Sequence, residues 1–234
     1  VCVPALPRRH RSAPLGHDLA AMAKAVRRDT RIVYLANPNN PTGTWFDDAA
    51  LGAFLDAVPR DVLVVVDEAY HEYVDAPGLS TALGFAERYP NLIVTRTFSK
   101  AYALAGLRVG YRLAHPGVVA VLERLRESFN VNNVALAGAE AALHDKAWLA
   151  KARAFNRAER EWLRDELLAL GYRSLPSQTN FLLCVLQRDA ARLEHHLFER
   201  GVIVRPMGGY GLPHAIRISV GSRAENRRLL DALP

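Results

Sequence analysis

Residues 62–70 read VLVVVDEAY, a short valine-rich run that ends abruptly in charged and aromatic residues. An aliphatic run of this length without alternation predicts a strand buried on both faces. Arg31 to Leu35 and Asn91 to Thr95 have the same character. Apolar residues at helical spacing from Asp47 to Val58 lie between the first two strands. This order predicts βαβ connectivity and an α/β fold with a mostly parallel sheet and flanking helices.

A fourth strand, Arg108 to Leu113, follows the third too closely for a crossover helix, so we expect it to be antiparallel or at an edge. Beyond Pro116 the pattern changes to amphipathic helices at Val118 to Phe129 and Val134 to Leu170, the latter ended by Gly171. The predicted C-terminal elements are strand Asn180 to Leu186, helix Asp189 to Arg200, strands Val202 to Arg205 and Ala215 to Val220, and helix Arg223 to Leu233.

Composition limits the classes of function. The chain has 234 residues, 50% hydrophobic and 23% charged, as expected of a globular protein. Most arginines alternate with acids along helices, which favours solvated surfaces over a nucleic-acid interface despite the net charge of +6. The densest basic cluster is Arg8, Arg9 and Arg11.

No apolar run approaches the roughly 20 residues of a membrane span, and no signal-peptide pattern opens the chain. Cys2 and Cys184 lack the spacing of a disulfide framework or a zinc site. We therefore predict a cytoplasmic protein that binds no metal, nucleic acid or membrane.

Polar clusters follow each of the three predicted parallel strands. They read NPNNPTG at 37–43, DEAY at 67–70 and RTFSK at 96–100. Ligands of open parallel sheets bind beyond the carboxyl ends of the strands, so these clusters are the first candidates for a site.

The order of these motifs resembles that of the fold-type I pyridoxal-phosphate aminotransferases. The matching segments are NPNNPTG, VVVDEAYHEYV at 64–74, TFSKAYALAGLRVGY at 97–111 and RPMGGYGLPHAIRISVG at 205–221. Within that superfamily, the second and third segments are most similar to histidinol-phosphate aminotransferases. The resemblance implies that residues 1–131 are part of a pyridoxal-phosphate-binding large domain, and that residues 132–234 form connector helices and a smaller α+β domain.

The resemblance also implies roles for residues around the cofactor ring. Lys100 matches the catalytic lysine that condenses with the cofactor aldehyde and later moves a proton at the substrate α-carbon. Asp67 matches the carboxylate that keeps the pyridine nitrogen protonated. Asn40 and Tyr70 match residues that hydrogen-bond the phenolic oxygen of the cofactor.

Five further residues match anion-binding positions. Thr97, Ser99 and Arg108 correspond to the cofactor-phosphate cradle, where hydroxyls and a guanidinium donate to phosphate oxygens. Arg217 matches the arginine that grips the anionic group of the substrate, and Arg205 matches a second arginine directed at a substrate phosphate.

The implied activity is transfer of the amino group of histidinol phosphate to 2-oxoglutarate in histidine biosynthesis, by a homodimer. Alternatives of the same fold are an aromatic amino-acid aminotransferase and a phosphothreonine decarboxylase. An effector domain of a transcription regulator and an inactive remnant are alternatives of another class. Complete members of the family are longer by over a hundred residues, so we expect an N-terminal part before Val1, without which the pocket is open and turnover is negligible.

Overall fold

The computed structural model describes residues 14–187 and 189–234, which form two four-stranded sheets in sequence. Cys2 and the basic cluster of Arg8, Arg9 and Arg11 lie outside the described residues. In the part of the chain that the structure describes, no helix is both long and apolar enough to cross a membrane.

The first sheet has the order β1-β2-β3-β4 and is parallel except at its last strand. Its strands are β1 (Ile32–Ala36), β2 (Leu63–Asp67), β3 (Leu92–Thr97) and β4 (Gly110–Ala114). The predicted antiparallel fourth strand is confirmed, since Thr97 pairs with Gly110 in the register of β3 and β4. The register also aligns Ala36 with Asp67 and Asp67 with Thr95, so the carboxyl ends of β1, β2 and β3 lie side by side.

Helix α1 (Leu19–Ala25) precedes β1, and helix α2 (Asp48–Ala57) connects β1 to β2. Asp47 caps α2 by accepting from the Ala50 amide at 2.8 Å, and α2 buries an apolar face that includes Phe54. The connection from β2 to β3 has no α-helix. It crosses instead through two 3₁₀ turns, His71–Tyr73 and Ala82–Phe85.

The predicted helical stretch after Pro116 is interrupted more often than the apolar pattern indicates. It contains α3 (Pro116–Glu123), α4 (Asn133–His144) and α5 (Lys146–Ala169). The prediction of one helix over Val134 to Leu170 is wrong because Asp145 ends α4 and caps α5, accepting from the Trp148 amide at 2.9 Å. The predicted extension of the preceding helix to Phe129 is also wrong, since α3 ends at Glu123.

The second sheet is antiparallel throughout and has the order β5-β6-β8-β7. Its strands are β5 (Arg173–Ser174), β6 (Phe181–Val185), β7 (Arg205–Pro206) and β8 (Ala215–Ser219), and its later helices are α6 (Ala190–Glu199) and α7 (Arg223–Ala232). β5 is absent from the sequence prediction, and the strand predicted at Val202 to Arg205 is reduced to β7. Leucines of α5 and α6 pack against β6 and β8 in a core separate from that of the first sheet.

The two sheets are held together by contacts around Gln178. Its amide donates to the Gly43 carbonyl at 3.0 Å, and its Oε1 accepts from the amides of Asp75 and Ala76 at 2.7 and 3.1 Å. Arg160 of α5 adds an ion pair with Asp75 at 3.2 Å. A domain boundary at residue 131 stays a prediction, and α4, which follows it, packs on the first sheet through residues 135 and 139.

Candidate active site

The loop after β1 is fixed by the side chain of Asn37. Its Nδ2 donates to the Phe46 carbonyl at 3.0 Å and its Oδ1 accepts from the Phe46 amide at 3.1 Å, which closes the loop on itself. The Asn37 amide donates to the Asp67 carbonyl at 3.0 Å and joins this loop to the end of β2. Asn40, at the exposed tip, is thereby brought to the same sheet edge as Asp67.

Asp67 ends β2 with its side chain exposed at the sheet edge. Its Oδ1 accepts from the Ala69 amide at 3.1 Å and from Thr95 Oγ1 at 3.3 Å. Both bonds engage one oxygen, so among the described residues Oδ2 has no protein donor. The carboxylate is thus oriented by its neighbours and retains an acceptor for a ligand.

Tyr70 and Lys100 lie close together beside this carboxylate. Lys100 Nζ is 5.5 Å from the centroid of the Tyr70 ring, and the centroids of the Tyr70 and Phe181 rings lie 5.3 Å apart with their planes nearly perpendicular. Burial raises the pKa of the Tyr70 hydroxyl above its usual range; Arg217 opposes this shift, and Asp67 adds to it. Tyr70 therefore remains a hydrogen-bond donor at neutral pH.

Lys100 lies in the turn that follows β3, and its side chain is exposed. The Lys100 carbonyl accepts from the Ala103 amide at 2.9 Å. Trp148 of α5 donates its Nε1 proton to the neighbouring Ala101 carbonyl at 3.0 Å. The backbone at Lys100 and Ala101 is therefore fixed by these two hydrogen bonds, while the amine of Lys100 is accessible to solvent.

The three predicted phosphate ligands are only partly assembled. Thr97 Oγ1 donates to Ser99 Oγ at 2.9 Å and accepts from the Ser99 amide at 3.1 Å, so the two hydroxyls share one turn. Arg108 has a left-handed backbone, with φ of 53°, and donates to the Ala105 carbonyl at 2.7 Å. The structure records no contact between Arg108 and either hydroxyl.

The second sheet contributes both predicted substrate arginines. Arg205 and Arg217 are register partners on β7 and β8, and opposed residues of an antiparallel pair share a face of the sheet. Arg217 Nη1 donates to Asn40 Oδ1 at 2.5 Å, and its guanidinium lies 4.9 Å from the Phe181 ring centroid. Arg217 therefore connects the second sheet to the edge that carries Asp67.

A cavity of about 550 Å³ opens beside these two arginines. Its lining also includes Tyr210, Glu194 and Ser219, none of which the motif analysis selected. Tyr210 is also among the electrostatic neighbours of Tyr70, so it borders both the cavity and the first sheet. Its position between Gly209 and Gly211 is the signal that could have identified it, because a lone aromatic residue in a glycine-rich turn lacks a helical or strand packing pattern.

Comparisons with known proteins identify the family of the chain. The sequence profile of the family described as aminotransferase class I and II matches residues 8–233. A histidinol-phosphate aminotransferase of Anaeromyxobacter sp. is 54% identical over 218 residues, covering 93% of this chain and 60% of the relative. Histidinol-phosphate aminotransferase 2 of Pseudomonas aeruginosa is 52% identical, covering 93% of this chain and 59% of the relative. The chain thus spans about 60% of the length of these curated relatives.

A solved structure shows the same arrangement of elements. The crystal structure of histidinol-phosphate aminotransferase from Sinorhizobium meliloti in complex with pyridoxal-5'-phosphate superposes with a TM-score of 0.90 at 35% identity. The match covers all of this chain and 63% of that one. The predicted resemblance and fold class are confirmed.

Proposed function

The chain belongs to the aminotransferase class I and II family, and on that premise we propose that its protein is a pyridoxal-phosphate-dependent aminotransferase that acts on histidinol phosphate, with 2-oxoglutarate as amino acceptor. The observation that carries the proposal is the convergence of Lys100, Tyr70 and Asp67 at one sheet edge, with Arg217 reaching the same edge through Asn40. This edge holds an amine, a phenol, a carboxylate and a guanidinium. Together these groups suit a phosphorylated pyridine aldehyde.

The residues present fit pyridoxal phosphate group by group. Lys100 would bind the aldehyde carbon, and Asp67 would hold a proton on the pyridine nitrogen through its available oxygen. Tyr70 and Asn40 would hydrogen-bond the phenolic oxygen. Thr97 and Ser99 already share a turn of hydroxyls that suits phosphate oxygens, and Arg108 would complete that cradle.

When bound, pyridoxal phosphate supplies an electron sink that stabilises negative charge at the substrate α-carbon. The amine of Lys100 would be the base that takes the proton from that carbon and holds it on Nζ for return. Burial raises the pKa of the Tyr70 hydroxyl further above its usual range, so Tyr70 would remain a hydrogen-bond donor at neutral pH. Arg217 orients the substrate by its anionic end, which limits the positions that its α-carbon can occupy.

The choice of histidinol phosphate rests on the relatives named above and on the paired arginines. Two guanidiniums on one sheet face suit a phosphate monoester better than a single carboxylate. The paired arginines argue against an aromatic amino-acid aminotransferase, whereas the named relatives are what argue against a phosphothreonine decarboxylase, whose substrate is also a phosphate monoester. The family match with site residues at one sheet edge likewise favours an enzyme over a regulator or an inactive remnant.

A cytoplasmic homodimer is part of the proposal. Large apolar side chains are exposed around α3 and α4, with Phe129 at 98% and Leu125 at 78% exposure, which supports a protein partner over this surface. Cys184 is a buried free thiol, as suits a reducing compartment.

Borohydride trapping tests the cofactor assignment directly. The protein as its gene encodes it is mixed with pyridoxal phosphate, reduced and mapped by mass spectrometry. The adduct is expected on Lys100, absent in Lys100→Ala, and retained in the matched variant Lys146→Ala. Histidinol phosphate should then give amino transfer to 2-oxoglutarate in Lys146→Ala and none in Lys100→Ala.

Two outcomes would contradict the proposal. An adduct distributed equally over the other lysines would remove Lys100 as the cofactor residue. Transfer from phenylalanine but not from histidinol phosphate would reassign the enzyme to aromatic substrates.

A further inference from the structure

A buried ion pair lies under the segment that carries Tyr70. Arg96 donates from Nε to Glu68 Oε2 at 2.8 Å, and its Nη2 lies 2.7 Å from the same oxygen. The side chains are 12% and 3% exposed, respectively. Charge-assisted bonds with little solvent access are strong and directional.

Glu68 is bonded on both carboxylate oxygens. Its Oε1 accepts from the Ala82 amide at 2.6 Å, and its Oε2 also accepts from Thr81 Oγ1 at 2.9 Å. Arg96 Nη2 donates to the same Thr81 hydroxyl at 2.9 Å. The pair therefore ties three parts of the chain together: the residue after β2, the penultimate residue of β3 and the 3₁₀ turn at Ala82–Phe85.

Neither member of the pair lies on the ligand side of the sheet edge. Arg96 stands between Thr95, which bonds Asp67, and Thr97, and alternation along β3 places its side chain on the opposite face. Glu68 follows Asp67 directly, and its carbonyl accepts from the His71 amide at 3.0 Å. That bond closes the turn that contains Tyr70, so the pair is joined to Tyr70 through this backbone.

A second acid competes only weakly for Arg96. Glu72 Oε1 accepts from Arg96 Nη1 at 3.3 Å, and Glu72 Oε2 is buried with no hydrogen-bond partner among the described residues. Burial raises the pKa of the Glu72 carboxyl, against the opposing effect of Arg96. Since Glu68 accepts three hydrogen bonds in the cluster and Glu72 accepts one from Arg96, the Arg96–Glu68 pair determines its geometry.

We propose that Arg96 and Glu68 are positioning residues for Tyr70: their buried pair holds the turn after β2 so that the Tyr70 hydroxyl is aimed at the phenolic oxygen of the cofactor. The inference rests on the proposed function for the identity of that acceptor. The fixed turn itself is independent of any ligand.

The absorbance of lysine-bound pyridoxal phosphate provides a readout specific to this role. A donor to the phenolic oxygen stabilises the unprotonated chromophore, so Tyr70→Phe should raise its pKa by about one unit, as for loss of a charge-assisted hydrogen bond. Glu68→Gln and Arg96→Met should each raise it by part of that shift. In the Tyr70→Phe background, the same substitutions should add nothing.

Glu159→Gln is the matched control. Glu159 is a buried acid that also accepts from an arginine, Arg223, and from an amide side chain, that of Asn226, but both partners lie in α7 and not in the turn that carries Tyr70. Glu159→Gln should leave the absorbance pKa unchanged even if the stability of the protein falls. Arg96→Lys, which keeps the charge but loses the guanidinium fork, should give an intermediate shift and serves if Arg96→Met does not fold.

Amide hydrogen exchange separates this inference from the proposed function. In protein without cofactor, the peptide covering residues 68–74 should exchange faster in Glu68→Gln and Arg96→Lys than in Glu159→Gln. Unchanged exchange of residues 68–74 in Glu68→Gln and Arg96→Lys would overturn the inference. Faster exchange without a change in the absorbance pKa would also overturn it, as would equal shifts of that pKa in the parent and Tyr70→Phe backgrounds. Failure of the parent protein to bind pyridoxal phosphate would instead overturn the proposed function, and exchange alone would then decide whether the pair holds the turn.

Discussion

The two sheets place functional side chains in different ways. In the first sheet, Asn40, Asp67 and Lys100 lie at or beyond the carboxyl ends of parallel strands, on loops whose backbones are tied to neighbouring strands. In the second sheet, Arg205 and Arg217 lie within antiparallel strands and point from one face. In this molecule the parallel strands gather unlike groups at one edge, whereas the antiparallel pair of β7 and β8 places two like groups side by side.

This difference matches a division of labour in the proposed enzyme. Proton transfer at a cofactor needs several different groups converging on one ring, which the edge of the first sheet provides. Recognition of a phosphate needs repeated positive charge, which the face of the second sheet provides. Arg217 joins the two, because its guanidinium donates to Asn40 at the edge of the first sheet while it lies over the ring of Phe181, its neighbour in the second sheet.

The largest effect is expected from removing charge at the edge of the first sheet. Asp67→Asn keeps the size of the side chain but cannot hold a proton on a pyridine nitrogen, so kcat should fall by about two orders of magnitude. Binding of pyridoxal phosphate should weaken much less. Steady-state kinetics and cofactor titration measure the two quantities separately.

Asp61→Asn is the control for this substitution, since Asp61 lies exposed just before β2, at the opposite end of the strand. It should leave kcat near the parent value. If Asp67→Asn did the same, Asp67 would serve only to accept from Ala69 and Thr95, and the first sheet would lose its assigned chemistry.

A smaller and more selective effect is expected on the face of the second sheet. Arg205→Ala removes one of two guanidiniums from the cavity and should lower kcat/KM for histidinol phosphate by about 10- to 100-fold. With phenylalanine the loss should be several-fold smaller. Arg192→Ala, an exposed arginine of α6 outside this cavity, should change neither value.

Equal losses for both substrates would show that Arg205 does not discriminate between them. The phosphate would then depend on Arg217 alone, and the proposed division of labour between edge and face would not extend to substrate choice.

Local pattern was sufficient to predict the first sheet and its ligand edge. The valine-rich run before Asp67 fixes a buried strand, and the position of Lys100 after another strand follows from the same reasoning. The roles of Arg205 and Arg217 came from motif resemblance, since nothing local distinguishes them from other arginines. Their site assignments stay predictions.

Other features depend on contacts between distant residues and could not be read from local pattern. The Arg96–Glu68 pair joins residues 28 positions apart. An arginine in a strand or a glutamate in a turn gives no sign in the sequence that its side chain is buried. The end of α4 at Asp145 was missed because helical periodicity continues across it. An aspartate three residues before Trp148 is a capping pattern that could have been recognised.

The smallest expected effect concerns the contact between the two sheets. Gly43 has φ of +76°, and a Cβ there would lie 2.5 Å from Ser177 Oγ and 2.7 Å from Ser177 Cβ. Ser177 cannot retreat easily, because its hydroxyl is buried and donates to the Phe181 carbonyl at 2.7 Å. Gly43→Ala combines backbone strain with overpacking and should destabilise the protein by about 1 to 3 kcal/mol.

Chemical denaturation measures this loss, and Gly84→Ala is its control, because a Cβ at Gly84 meets nothing within 4 Å. Gly43→Ala should also push the Gln178 segment away from Gly43, whose carbonyl accepts from the Gln178 amide. Phe181 follows that segment and supports both Tyr70 and Arg217, so the substitution should raise KM more than it lowers cofactor binding. A loss of stability with unchanged KM would mean that the second sheet keeps its orientation without this contact, through the bonds of Gln178 with Asp75 and Ala76, of Arg160 with Asp75 and of Arg217 with Asn40.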